Sequence, residues 1–214
     1  MQLARWPNQG FVKTGPVHRG RFHTDEAGQP GVFEYRDTRP EWWSKADDVW
    51  VYGYWGHLWA GRSARVAQFE VGKHLLHIEH RSNYGYREDM PYYYFNILEE
   101  LDIPGEWCLD RTSGIAYVWP PEDAEKPTVE FSVLAAPLVR MVGVSHVTLQ
   151  GLCFELGRAE GLVMTGGEQN LLAGCTFRRF GTNAIIVQGG AGHGILGCDL
   201  ATLGAGGIRM AGGE

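Results

Sequence analysis

From Leu138 onward the apolar positions recur in a fixed frame. Short apolar tetrads begin at Leu138 (LVRM), Gly161 (GLVM), Ala184 (AIIV) and Gly207 (GIRM), each 23 residues after the last. The triads TGG at Thr165, QGG at Gln188 and AGG at Ala211 keep the same step, as do GLCF at Gly151, GCTF at Gly174 and GCDL at Gly197. Independent motifs holding one ungapped period mark a solenoid. Its apolar runs are too short for the 3.6-residue period of a helix, and they alternate as half-buried strands do. The leucine-rich pattern L-x-x-L-x-L-x-x-N is absent. An all-β fold follows: a right-handed parallel β-helix of about 23 residues per coil.

Alternation assigns the inward columns, because successive side chains of a strand point to opposite faces. Leu149, Leu172 and Ile195 form one column. Leu152, Cys175 and Cys198 form the next, then Phe154, Phe177 and Leu200. Leu162, Ile185 and Ile208 form another, followed by Met164, Val187 and Met210. Arg140, Val163, Ile186 and Arg209 then face outward, and the aliphatic middle of that face is expected to be covered. Cys153, Thr176 and Asp199 share a second outward column.

Before about Leu134 the pattern changes to short alternating runs between turn residues. DDVWVYGYWGHLWAG (Asp47 to Gly61) predicts a half-buried strand, and RVAQFEVGKHLLHIEH predicts two strands hinged near Gly72. EWCLD and IAYVW, separated by RTSG, predict a hairpin that Pro120 and Pro121 bring to a stop. The expected organisation is a β-rich N-terminal module with hairpins over residues 1–134, leading into β-helix coils over residues 135–214.

Composition sharpens this picture in two places. The 30 glycines cluster after Gly143, where the coils turn. The net charge of −6 and the absence of a basic stripe argue against a nucleic-acid partner. The same acidity disfavours a strongly anionic polysaccharide, although a local arginine pocket can override the global sign. No apolar run has transmembrane length, so no membrane partner is expected, and the N-terminal MQLARWPNQGF lacks the apolar core of a signal peptide. The four cysteines show no C-x-x-C spacing, which leaves no zinc site. Cys175 and Cys198 stack inward as buried thiols, with a disulfide between them left open.

The strings LARWPNQGF, ADDVWVYGYWG, SNYGYR and YFNILEELDIPGEWCLDRTSGIAYVWPP, followed by the coils, resemble bacterial β-helix proteins of the pectate-lyase-like superfamily. The nearest group is glycoside hydrolase family 141. The resemblance covers essentially the whole chain. It implies a secreted or periplasmic carbohydrate-active protein acting on plant or algal polysaccharide, with glycoside hydrolysis first among its activities. A polysaccharide lyase of the same fold, with calcium, and a non-catalytic glycan-binding β-helix are the alternatives. It also implies that further coils of the same polypeptide flank this stretch. The unpolar last strand and the lack of a capping element point the same way. The expected partners are thus a poly- or oligosaccharide and the rest of the polypeptide. No cofactor is expected beyond a lyase's calcium.

Candidate chemistry is sparse. A glycosidase needs two carboxyls about 5 to 9.5 Å apart. The acids Glu99, Glu100, Asp102, Glu106 and Asp110 look like one cluster, but each reads as structural: Asp110, for example, sits where a carboxylate caps a turn. In the coils, Glu160, Asn183 and Gly206 share the position just before the repeated apolar strand. Glu160 and Asp199 are the weak catalytic candidates. Asn183, Arg209, Arg158 and His193 are the candidates for substrate binding. His74, His77 and His80 in HLLHIEH lack ligand spacing, so no metal site is expected. Among Trp42, Trp43, Trp50, Trp55 and Trp59, most are expected in the core, with one exposed for a sugar ring.

Overall fold

The structure is a computed structural model that describes residues 1–43, 46–123 and 128–212. Its contacts divide the chain into two compact units, Met1–Pro127 and Thr128–Glu214.

The second unit is a parallel β-solenoid. One sheet stacks Val139–Val142, Leu162–Thr165, Ile185–Gln188 and Ile208–Ala211. A second stacks Thr148–Gln150, Leu171–Ala173 and Gly194–Leu196, and a third stacks Cys153–Glu155, Thr176–Phe180 and Asp199–Leu203. Every rung is paired in the register of the sequence repeat: Val139 with Leu162, Leu162 with Ile185, Ile185 with Ile208. The 23-residue period is therefore the length of one turn.

The inward columns pack as the alternation predicts. Leu162, Ile185, Met164, Val187, Leu172, Cys175 and Phe177 make one dry cluster. Phe154 stacks on Phe177 with ring centroids 4.7 Å apart. Exposure rises in the first and last coils, where a rung has a neighbour on one side only: Leu152 is 44% exposed and Met210 64%. Val163 and Ile186, the aliphatic pair of the outward face, are both buried. Cys175 and Cys198 are free thiols, and their sulfurs lie against different carbonyls, those of Leu149 and Leu172.

The turns carry their own column. Asn170 is buried; its Oδ1 accepts from the Val147 N–H at 3.0 Å and its Nδ2 donates to the Val144 carbonyl at 2.6 Å. Gly181 stands where a Cβ would lie 2.3 Å from the Arg158 carbonyl, so no other residue fits without moving the coil.

The first unit is mostly antiparallel. Its large sheet runs in the order Arg5–Trp6, Pro91–Phe95, Trp50–Tyr54, Gly61–Glu70, Leu75–Arg81, Pro30–Glu34, Val17–Arg19, with Val12–Lys13 paired to Pro91–Phe95. The two strands hinged near Gly72 are present, joined by a 3-10 turn at Val71–Lys73. The strand expected over Asp47–Gly61 spans only Trp50–Tyr54, because WGHLWA folds into a hairpin loop, with the Ala60 N–H on the His57 carbonyl at 3.0 Å. A smaller sheet holds the expected hairpin Glu106–Asp110 and Ile115–Val118, with Gln2–Leu3 alongside in parallel. Trp43, Trp55, Tyr92, Tyr94, Phe33 and Leu76 form the core of the large sheet.

Candidate functional site

The acidic stretch resolves into structural roles. Glu100 is fully buried, held by Arg39 through two bonds of 2.7 and 2.9 Å and by the Trp43 indole N–H at 2.6 Å. Glu106, also buried, accepts from the Gln2 amide and from the Asp102 N–H. Asp110 accepts from the Thr112 and Ser113 N–H groups, and these bonds, led by the Ser113 hydroxyl, hold its carboxyl below the usual range. Asp102 accepts from the Asn8 amide. Glu99 and Asp110, with Asp47 and Asp48, line one open cavity of about 320 Å³, in which Asp110 is bonded within its own turn and Asp48 to Arg65 and Arg111.

In the solenoid, the residues singled out by position lie on different faces. Glu160 ends the turn before the first sheet, half-buried, and Asp199 opens a strand of the third sheet, exposed. They stand 39 residues apart, less than two 23-residue turns, so they differ by roughly 8 Å along the axis at about 4.8 Å per rung, and they belong to different sheets. Asn183 accepts from the Gly206 N–H at 3.0 Å, a bond that ties successive coils. Arg158 and Arg209 are exposed. His193 occupies the same turn column as Asn170; its Nδ1 lies 3.3 Å from the Asn170 N–H, which makes Nδ1 the acceptor and places the proton on Nε2. Position alone gave no warning of the Glu155 cluster. Glu155 bonds Arg178 and Arg179 at 2.6 Å each, and Arg179 also reaches Glu130 at 3.2 Å.

The richest constellation lies in the first unit. Partners Tyr54 with Gly61, Gly53 with Tyr92 and Pro30 with Arg81 place three loops, residues 20–29, 55–60 and 82–90, at the same end of the large sheet. Backbone bonds lock them together: Phe22 N–H to the Tyr86 carbonyl, His23 N–H to the Tyr84 carbonyl, Arg87 N–H to the Trp55 carbonyl. Gly85 makes the approach possible. Its φ is +80°, and a Cβ there would lie 2.5 Å from the Arg21 carbonyl.

An aromatic platform sits on these loops. His57 stacks on Trp59 at 5.1 Å with 14° between planes. Tyr84 meets both rings edge-on, at 4.9 Å from His57 and 5.3 Å from Trp59. Phe22 packs its edge on His57. Trp59 is nonetheless 71% exposed, and its neighbour Leu58 is 68% exposed. Of the five tryptophans considered from sequence, Trp43 and Trp55 are core and Trp50 is half-buried, while Trp42 and Trp59 are exposed. Trp42 lies against the Arg39 guanidinium, which is already committed to Glu100.

Trp59 instead connects to a cleft through its contact with Tyr84. Tyr84 belongs to both the platform and a cavity of about 200 Å³, which is also lined by Trp55, Arg62, His80, Arg81 and Asn83. No carboxylate lines it. Among the described residues neither Arg62 nor Arg81 has a carboxylate within ion-pair distance. Burial pushes the His80 pKa down, and the charge of Arg62 adds to that shift. Sequence reading flagged Trp59 but missed Tyr84, Arg62 and Arg81. The available signal was GHLWAGR, an apolar loop tip followed at once by a cation.

Among the described residues no group of three or more His, Cys, Asp or Glu side chains is placed to hold a metal ion. No helix is long and apolar enough to cross a membrane.

No family model and no curated protein matches the chain. A solved structure titled "Glycoside hydrolase" matches 91% of this chain and 54% of its own, at 14% identity and a TM-score of 0.47. The chain thus spans about half the length of that protein.

Proposed function

We propose that this chain is the glycan-engaging part of a carbohydrate-active β-helix protein, and that it holds sugar on the three-loop end of its N-terminal unit. The observation that carries this is Trp59: a large indole, mostly in solvent yet fixed by His57 and Tyr84, beside a cleft with free polar groups. A rigid exposed aromatic ring offers its face to the C–H face of a pyranose, while neighbouring amide and guanidinium groups take the hydroxyls. Loops on a β-scaffold are where such contacts are normally built. The sequence resemblance to secreted glycan-acting β-helices supports the same reading and the extracellular location that goes with it.

Hydrolysis is the activity we propose for the whole protein. The candidates Glu160 and Asp199 sit on different sheets of the solenoid, which supports a chain that binds without turnover. Affinity electrophoresis against plant and algal polysaccharides tests the binding. Retardation by at least one polysaccharide, lost in Trp59→Ala, is the expected result. Wild-type mobility unchanged by every polysaccharide, or an unaltered Trp59→Ala variant, overturns the reading. Release of reducing ends by this chain would overturn the assignment of binding without turnover.

A further inference from the structure

We infer that Cys175 and Cys198 form a two-coordinate site for a soft divalent cation that bonds two thiolates in line, the mercuric ion being that case. The site lies within the solenoid and does not depend on the glycan reading above.

The geometry follows from the repeat. The two cysteines stand 23 residues apart, one turn of the solenoid. Each follows a glycine of nearly equal φ, +57° at Gly174 and +58° at Gly197. Each sulfur lies against equivalent carbonyls. Cys175 Sγ is 3.4 Å from the Leu149 oxygen and 3.6 Å from that of Ala173; Cys198 Sγ is 3.6 Å from the Leu172 oxygen and 3.7 Å from that of Leu196. Leu172 and Leu196 are the rung partners of Leu149 and Ala173, one turn further on. The two side chains therefore share one orientation, and a step along the axis carries one onto the other. Their Cβ atoms, and their sulfurs, are then one rung apart, ~4.8 Å. The Asp199 N–H bonds the Cys175 carbonyl at 2.9 Å and ties the coils together at this step.

This spacing decides the chemistry. A disulfide needs Cβ atoms about 3.5–4.5 Å apart, so the stacked pair stays reduced. A metal midway between the sulfurs fits instead: two metal–thiolate bonds of about 2.3 Å, the length found for zinc, span about 4.6 Å when in line. Zinc itself is excluded by its demand for four ligands. Among the described residues no group of three or more His, Cys, Asp or Glu side chains is placed to supply them. Thiolates select soft metals, and charge selects among these. Two thiolates neutralise a divalent ion. A monovalent silver or cuprous ion would leave a net negative charge in the cluster of Leu172 and Phe177, where burial of charge is costly. In the binding step each thiol gives its proton to solvent and each sulfur forms one bond to mercury, displacing its two chlorides. No electron changes hands. Cys175 is buried, while Cys198 is half-buried and gives the ion its way in.

The test is titration of the intact chain with mercuric chloride and, separately, zinc chloride, in a Cys153→Ser background that removes the exposed thiol. The inference expects one mercury per chain, with two sulfurs and no third ligand in its X-ray absorption spectrum. It also expects a higher thermal midpoint by circular dichroism, because the ion binds only the state that holds the pair together. Cys175→Ala and Cys198→Ala should each weaken binding about a hundredfold or more, since one sulfur loses the effective concentration of the other. Zinc should leave the midpoint unmoved. One sulfur per mercury, an unmoved midpoint with mercury, single variants that bind as tightly, or zinc bound as tightly as mercury each overturn the inference. So does a disulfide between Cys175 and Cys198 formed in a glutathione redox buffer, which would place the sulfurs closer than one rung. Where an alanine variant fails to fold, the sulfur count on the unsubstituted pair decides.

Discussion

The stack of Leu162 and Ile185 and the packing around Trp43 are both buried cores, yet they are specified in different ways. In the solenoid each inward residue meets its own equivalents 23 positions away, so one short pattern, repeated, fixes strands, register and core together. In the antiparallel unit no position repeats. Its core relies on single solutions: Glu100 buried beneath Trp43 and Arg39, Asn96 bonding Asp48 and Leu109, Gly85 in a conformation that favours glycine. The difference bears on the proposed binding site. The repeating unit ties its coils together through side chains such as Glu155 with Arg178 and Asn183 with the Gly206 N–H. The irregular unit supplies loops free to diverge, and there the exposed aromatic platform stands.

The largest effects should come from the single solutions. Glu100→Ala leaves Arg39 and the Trp43 indole N–H without their carboxylate in a buried setting, and breaking such a pair costs about 3–5 kcal/mol. Phe177→Ala, in the middle coil, should cost a similar ~3–5 kcal/mol by leaving a cavity beneath Phe154. The two can be told apart by probe. All eight tryptophans precede Pro120, so tryptophan fluorescence reports on the first unit alone. Glu100→Ala should move the fluorescence transition in urea, and Phe177→Ala should move only part of the circular-dichroism transition. A fluorescence midpoint that moves equally in both variants would mean that the units unfold as one, and the comparison would fail.

How much of this was legible in the sequence follows from the same contrast. The solenoid was readable to the residue because its register is the repeat: the pairs Arg140 with Val163 and Val163 with Ile186 are a count of 23. The hairpin at Arg111–Gly114 was readable because a turn lies between two apolar runs. The acids before it were read as structural, and the bonds of Glu100, Asp102 and Glu106 agree, but that Glu100 would pair with Arg39, 61 residues away, leaves no local trace. The loop cluster was unreadable for the same reason. Gly20, Trp55 and Tyr86 meet only after the sheet has ordered its strands, and that order is not sequential. Trp59 could be named as one of several aromatics. Its neighbours Arg62, Arg81 and Tyr84 could not.

A middle-sized effect tests the loops themselves. Gly85→Ala forces a Cβ against the Arg21 carbonyl at a φ of +80°, which should cost about 1–3 kcal/mol. It should also weaken polysaccharide retardation, because the 20–29 and 82–90 loops would separate beneath Tyr84. Stability lost with retardation intact would show that the platform does not depend on the packing of these loops.

The smallest effect concerns the solenoid's surface charge. Arg178 and Arg179 hold the Glu155 carboxyl below its ordinary range, so its folded pKa lies under its unfolded one. A depressed carboxyl contributes stability that is complete above the unfolded value, about 4.3, and is lost as pH falls through the folded value. Glu155→Gln should therefore lower the solenoid's thermal midpoint slightly at pH 7. The gap to wild type should close on acidification below about pH 4, where the wild-type carboxylate itself becomes protonated. The pair is exposed and salt-screened, so the shift should shrink at high ionic strength. An effect of the same size at pH 3 as at pH 7 would mean that Glu155 acts through packing. The charged surface of the repeating unit would then be as position-specific as the core of the irregular one.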